Sequence, residues 1–91
     1  MPYIEQSERD KYGKFIQDIL RILKSQPMED VDGELDYIIT SLLKGLYEPK
    51  YFNYNRAIGV LETTKQEFYR RAVAPYEDEK IKEAGDVFSN R

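Results

Sequence analysis

A lysine on an apolar helix face is the residue of this chain best suited to chemistry. Lys65 lies between Leu61 and Phe68 at helical spacing, where a cation is uncommon because burying an unpaired ammonium is costly. Glu62 and Tyr69 lie one helical turn away on either side. Two interpretations follow. Lys65 either snorkels or pairs with an acid, or it points into a polar pocket between helices and binds an anionic ligand.

The candidate ligand-binding residues extend from this lysine along the same segment. Arg70 and Arg71 would add cationic donors, and aromatic residues beside cations are typical of sites that stack a nucleobase. The same aromatic side chains are equally suited to closing the end of a small helical bundle. The predicted ligand-binding residues are Tyr54, Arg56, Glu62, Lys65, Tyr69, Arg70 and Arg71.

Four helices are predicted to position these residues. Apolar residues recur at helical spacing along the chain, and Pro27, Pro49 and Pro75 end or kink the helical segments. Ser7 is a candidate N-cap of the first helix, and Gly85 is a candidate stop after the last one. The predicted helices span residues 8–24, 31–47, 53–74 and 76–84.

The fold class that this pattern predicts is all-α, a three-helix up-down bundle with a short C-terminal fourth helix. A length of 91 residues indicates a single helical domain over residues 1–91. We expect its central core to contain Ile38, Leu42, Leu61 and Phe68.

A homo-oligomer is also expected. A chain this short buries only about 60–65% of its unfolded surface, so contacts with further copies would add stability. Gly59 beside Val60 on an otherwise polar helix face indicates that another helix approaches closely there. Residues 29–36 carry five acids and no base, whereas residues 37–71 carry six bases and three acids, so a charge-complementary self-contact is one interpretation.

The composition excludes several function classes. The chain has no cysteine and no histidine, so neither thiol chemistry nor a serine–histidine pair is available within one chain. No cofactor and no metal site is predicted. The net charge of −3 argues against DNA or RNA as partners. No apolar run approaches the roughly 20 residues of a membrane span, and the N-terminus is unlike a signal peptide, so a cytoplasmic location is expected.

One enzyme-like pattern is present. All-α nucleotide pyrophosphohydrolases hold magnesium with a Glu-x-x-Glu pair and a Glu-x-x-Asp pair on facing helices. Glu83 and Asp86 match the second pair, although Gly85 is expected to end the helix between them, and the one Glu-x-x-Glu is Glu5 with Glu8 at the chain start. A metal-dependent enzyme of this kind is therefore the third interpretation of the function.

Two resemblances cover parts of the chain. DGELDYIIT and YNRAIGVLETTKQEFYRRAVAPYEDEKIKEAGDV, about residues 32–87, resemble a family of short uncharacterised proteins from phages, prophages and some bacteria and archaea. The segment IGVLETTKQEFYRRAVAP is similar to the late helix of phage anti-CBASS and anti-Thoeris proteins, which sequester cyclic-nucleotide signals. The Thr-His-x-x-Gln run of that second family is absent here. The matching residues are Ile58, Gly59, Arg71, Ala72, Val73, Ala74 and Pro75.

The second resemblance implies an oligomeric helical sponge without catalysis. The favoured interpretation is therefore a non-catalytic binding protein that captures a cyclic or linear nucleotide, such as a nucleotide-derived immune signal, in the host cytoplasm if the protein is phage-encoded. The alternative is a protein-binding adaptor with no small ligand.

Overall fold

The computed structural model describes residues 2–88, and this part of the chain is helical without strands, which confirms the all-α fold class. The third helix is long and bent, and it runs without a break over residues 51–84. Contacts divide the chain into two compact units, one spanning Pro2–Ala57 and a second that begins at Ile58 within the third helix. The elements are α1 (Gln6–Lys24), α2 (Met28–Leu46), α3 (Tyr51–Phe68), a π-helical segment (Tyr69–Val73) and α4 (Ala74–Ala84).

The first two helices begin earlier than the sequence pattern indicates. α1 begins at Gln6, so Ser7 lies inside its first turn instead of capping it. α2 begins at Met28, directly after Pro27, whose carbonyl accepts the N–H of Asp30 at 3.0 Å. Glu29 and Asp30 therefore lie in the first turn of α2, where negative charge is favoured by the helix dipole.

The helices α1 and α2 form a hairpin that is packed at its connector. Leu23, near the end of α1, is only 8% exposed. The Gln26 side-chain amide donates to a carboxylate oxygen of Glu34 at 2.7 Å, which ties the connector to α2. A groove of about 320 Å³ lies beside this contact. It is lined by Ile19, Ile22, Leu23, Gly33, Glu34, Tyr37 and Ile38.

Farther from the connector, the apolar side chains of the hairpin are open to solvent. Phe15 on α1 is 65% exposed and Leu42 on α2 is 58% exposed. Within residues 2–88, the buried apolar residues are Leu23 and Ala57. An exposed apolar area of this extent is characteristic of surfaces that contact another protein.

The prediction of a central core is wrong for the residues proposed. Phe68 is 67% exposed, Leu42 and Leu61 are also exposed, and Ile38 is half-buried. Helical spacing identifies residues that share a face, but it does not show whether another element covers that face.

The close approach expected at Gly59 is not made by any residue of the described range 2–88. A Cβ added there would meet no atom within 4 Å in the part of the chain that the structure describes. Val60 beside it is exposed. Over the same residues, none of the helices is both long enough and apolar enough to cross a membrane.

Candidate functional site

The seven predicted ligand-binding residues all lie on α3 and the π-helical segment. Tyr54 and Arg56 belong to the unit that spans Pro2–Ala57, and the other five belong to the unit that begins at Ile58.

Arg56 and Tyr54 lie in the first turns of α3. The Arg56 guanidinium lies over the ring of Phe52, 5.9 Å from its centroid. Tyr54 is exposed, and its backbone N–H donates to the carbonyl of Lys50 at 2.9 Å, which joins the connector to the helix. The Arg56–Phe52 contact is an exposed cation–π pair of the kind that contributes about 0.5–1 kcal/mol.

Lys65 is paired within its own helix. Its ammonium lies 2.9 Å from a carboxylate oxygen of Glu62, and the Lys65 side chain is 72% exposed. Lys65 lines neither the groove beside Leu23 nor the groove beside Ala84 at the end of α4. Within the single chain, this geometry matches the interpretation in which the lysine pairs with an acid, and its role as a ligand contact stays a prediction.

The two arginines of the predicted site differ in their partners. Arg70 donates to a carboxylate oxygen of Glu67 at 2.7 Å. Arg71 forms no hydrogen bond or ion pair with any residue of the described range 2–88. Arg71 is therefore the cation of this segment whose charge is not neutralised by a neighbour.

Tyr69 forms a hydrogen bond that the sequence pattern did not predict. Its phenol donates to a carboxylate oxygen of Glu77 at 2.6 Å, across eight positions of the chain. This bond is the main reason that the pKa of Tyr69 is raised above its ordinary value of 10.0, and the negative charge of Glu77 acts in the same direction. Both effects favour the neutral phenol over the phenolate.

The π-helical segment makes this contact possible. In a straight α-helix, residues eight positions apart lie about 80° apart around the axis. Here the N–H of Ala74 bonds to the carbonyl of Tyr69, five positions earlier, so one turn holds an extra residue. Tyr69 and Glu77 then lie on the helix as residues seven positions apart do, about 20° from each other.

Pro75 explains the position of the π-helical segment. Proline has no N–H and its ring clashes with the carbonyl four residues earlier, which here belongs to Arg71. The wider π turn just before Pro75 relieves this clash without ending the helix. The expected break between the third and fourth helices is therefore a change of register along a continuous helix.

A groove lies between α4 and the turn that follows it. Gly85 adopts φ 91°, a conformation that glycine accepts readily, and the chain turns there. In this turn the N–H of Phe88 donates to a side-chain oxygen of Asp86 at 2.7 Å. The groove has a volume of about 580 Å³. Its lining includes Tyr69, Ala74, Glu77, Ile81, Ala84 and Phe88.

The carboxylate pair of the enzyme-like interpretation is not placed on one helix. Glu83 lies in α4 and pairs with Lys80 at 3.2 Å. Asp86 lies beyond the helix end and accepts the N–H of Phe88. Among residues 2–88, no three acidic side chains come together in a way that would hold a metal ion.

Glu77 is the residue that sequence reasoning missed. A search at the α-helical spacings of three, four and seven positions from Tyr69 does not reach it. The available signal is Pro75 six positions after Tyr69 inside a helical pattern, because an interior proline indicates either a break or a local change of helix type.

Comparison with known proteins shows the family of this chain. The family model described as "Domain of unknown function (DUF6899)" matches residues 1–87, so the chain belongs to that family. This confirms the expected membership of an uncharacterised family. No curated protein and no solved structure matches the chain.

Proposed function

We propose that this member of the family is a non-catalytic binding protein that works as a homo-oligomer. Its exposed apolar helix faces would be the surfaces through which it associates. The observation that carries the proposal is the exposure of most large apolar side chains on α1 to α4, of which Phe15 and Phe68 are examples. Covering such side chains stabilises a protein by about 1.5–3 kcal/mol each.

Charge contributes little to packing between helices. Four ion pairs within residues 2–88, of which Glu8–Lys11 and Glu79–Lys82 are examples, join residues three positions apart on one helix, and both partners are largely exposed. Pairs of this kind contribute little to holding helices together. Apolar contact is therefore the force available to the helix faces.

The test is the mass of the native protein as a function of concentration. Light scattering after size-exclusion chromatography is expected to give a multiple of 10.8 kDa at micromolar concentrations. Stability against urea should rise with protein concentration, because association binds the folded state. A folded protein of 10.8 kDa whose stability does not change with concentration would refute the oligomer and favour the adaptor, which contacts a different protein.

A second candidate is capture of a small anionic ligand by the oligomer. Arg71, the unpaired cation of its segment, and Arg70 beside it support this proposal, since guanidinium groups bind phosphate through paired hydrogen bonds. The similarity to phage proteins that sequester cyclic-nucleotide signals adds a ligand class, a nucleotide-derived immune signal. Under this proposal the protein is a phage-type anti-defence sponge that acts in the host cytoplasm.

Calorimetric titration with cyclic and linear nucleotides tests this second candidate. Lys65→Met removes the charge and keeps the length of the side chain, and it is expected to weaken binding by about tenfold if the ammonium contacts the ligand. Lys44→Met is the matched control, because Lys44 lies on α2, outside the predicted ligand-binding residues. If the wild type binds no member of the panel, the ligand proposal fails while the oligomer can still stand. If the wild type binds and both variants bind equally well, Lys65 is not a ligand contact.

A further inference from the structure

The π-helical segment aligns an apolar stripe across two helices. On α3, positions 58, 61, 65, 68 and 72 follow one another at alternating spacings of three and four residues, which is the pattern of a helix face that contacts another helix. With one extra residue in the π turn, the next positions on that face are 76 and 80. We call Ile58, Leu61, Phe68, Ala72 and Tyr76 the α3–α4 stripe.

Without the π turn, the same face would continue differently. In a straight helix, the positions after Ala72 would be Pro75 and Glu79, and the apolar stripe would end. The bond between Tyr69 and Glu77 is an independent sign of the rotation, because it needs the same one-residue offset. The π turn therefore extends the apolar face onto α4.

The stripe is open to solvent over its whole length. Its five residues are all exposed, and Phe68 and Tyr76 are both more than 60% exposed. Lys65 and Lys80 occupy the remaining positions of the face. Their ammonium groups are paired with Glu62 at 2.9 Å and Glu83 at 3.2 Å, so their methylene groups can lie along the stripe while the charges stay at its edge.

The charges around the helix are unevenly divided between the two halves of the stripe. Arg71 and Glu79 lie on the same flank of the stripe, each one position before a stripe position (72 and 80). Residues 58–73 carry three bases and two acids, with Arg70 and Arg71 together at the end. Residues 74–88 carry two bases and five acids, with Glu77, Asp78 and Glu79 together at the start. A parallel pair of such helices places like charges against each other, whereas an antiparallel pair places each basic half against an acidic half.

We propose that the α3–α4 stripe pairs in antiparallel orientation with the same stripe of a second copy of this chain. Phe68 and Tyr76 supply apolar contact, and Arg71 of each copy faces Glu79 in the first turns of α4 of the other copy. The inference rests on the proposed homo-oligomer and names its interface. It is a two-fold interface in which each contact occurs twice.

A charge exchange tests the pairing. Arg71→Glu and, separately, Glu79→Lys should each weaken self-association by about tenfold or more, because like charges then oppose each other at two symmetric contacts. An equimolar mixture of the two variants should associate as the wild type does, since opposite charges face each other again at both contacts. Far-UV circular dichroism checks that each variant keeps its helices.

Distances between copies test the orientation for any two-fold axis that lies between the two labelled sites. The chain has no cysteine, so a spin label can be attached at Thr63→Cys or at Lys82→Cys alone. In an antiparallel pair with the axis between these sites, each label is separated from its symmetry mate by twice its distance from the axis. Residues 63 and 82 are 19 positions apart, or about 28.5 Å along the helix. The two label-to-label distances should therefore sum to twice this separation, about 57 Å. A parallel pair gives two short and equal distances.

The outcomes separate this inference from the function on which it rests. A wild-type protein that is monomeric refutes both. A wild-type oligomer that is unchanged by either charge variant, or that shows equal short distances at both labels, refutes the antiparallel stripe and leaves the homo-oligomer in place. Loss of association in each variant, recovery in the mixture and the long summed distance support it.

Discussion

Replacing Leu23 with alanine is expected to destabilise the α1–α2 hairpin by about 2–3 kcal/mol. Leu23 is 8% exposed, so nearly the whole side chain is transferred from water on folding. Removing three carbons at about 0.8 kcal/mol each accounts for about 2 kcal/mol. In a closed core, the cavity left by the missing side chain would raise the loss of stability further. Here the adjoining groove lets the neighbouring side chains relax, so the loss stays in the lower half of the 2–5 kcal/mol range.

Phe15→Ala is the matched comparison on the same helix. Because Phe15 is 65% exposed, only about a third of the usual 3–5 kcal/mol cost applies within one chain, or about 1 kcal/mol. If the open part of the hairpin is covered in an oligomer, the cost of Phe15→Ala rises with protein concentration, whereas the cost of Leu23→Ala stays constant.

The assay is urea unfolding followed by far-UV circular dichroism, at low and high micromolar protein. The wild type and both variants are measured under the same conditions, and the midpoint and slope are compared separately, since a changed slope would indicate a different extent of unfolding. If Phe15→Ala costs as much as Leu23→Ala in dilute monomer, the connector end is not where the hairpin is held together, and the reasoning is refuted.

Three further predictions concern single groups. The pKa of Tyr69 is raised mainly by its bond to Glu77, so the stability from this neutral phenol is present below pH 10.0 and is lost as pH rises through the folded-state value. Ultraviolet titration of wild type against Tyr69→Phe should isolate a phenol that ionises above pH 10.0, and Glu77→Gln should lower that pKa toward the ordinary value. Hydrogen bonds from Lys14 and, to a smaller extent, Arg21 lower the pKa of Asp18, so the stability that Asp18 contributes is present above pH 3.8 and is lost as pH falls through the lowered value. Asp18→Asn should remove that part of the acid dependence of stability in a pH series of unfolding curves. Gly59→Ala should stabilise a monomer by up to about 1 kcal/mol in thermal unfolding, because alanine has a higher helix propensity than glycine and the new Cβ meets no atom of the described residues. A loss of stability instead would show that another chain packs against that position.

Much of the secondary structure could be predicted because its causes are local. Apolar spacing and prolines limit each helix, and the observed bounds of α1 and α2 differ from the predicted ones by no more than three residues. The differences arise at helix starts, where Ser7 and the acids after Pro27 are suited to more than one position. Gly85 ends α4 as expected, since the chain there needs a positive φ.

The candidate site could be predicted only in part. The neighbours of Lys65 on one helix follow from spacing, and its ion pair with Glu62 at 2.9 Å has that origin. The contact between Tyr69 and Glu77 does not follow from spacing, because it depends on which carbonyl the N–H of Ala74 selects. Proline permits a break, a kink or a wider turn, and the sequence alone does not choose among them.

The sequence by itself determined an all-α chain, the order of its helices and the residues that share each helix face, because these follow from a periodicity of a few residues. Only the tertiary structure decided which faces are covered: Leu23 is buried at the hairpin connector, whereas Phe68, at an equally regular position, is exposed. Burial depends on which distant segment is brought against a face, and helical spacing holds no information about that segment. The register across the π turn was likewise decided by the folded backbone, through a single change of hydrogen-bond partner before Pro75.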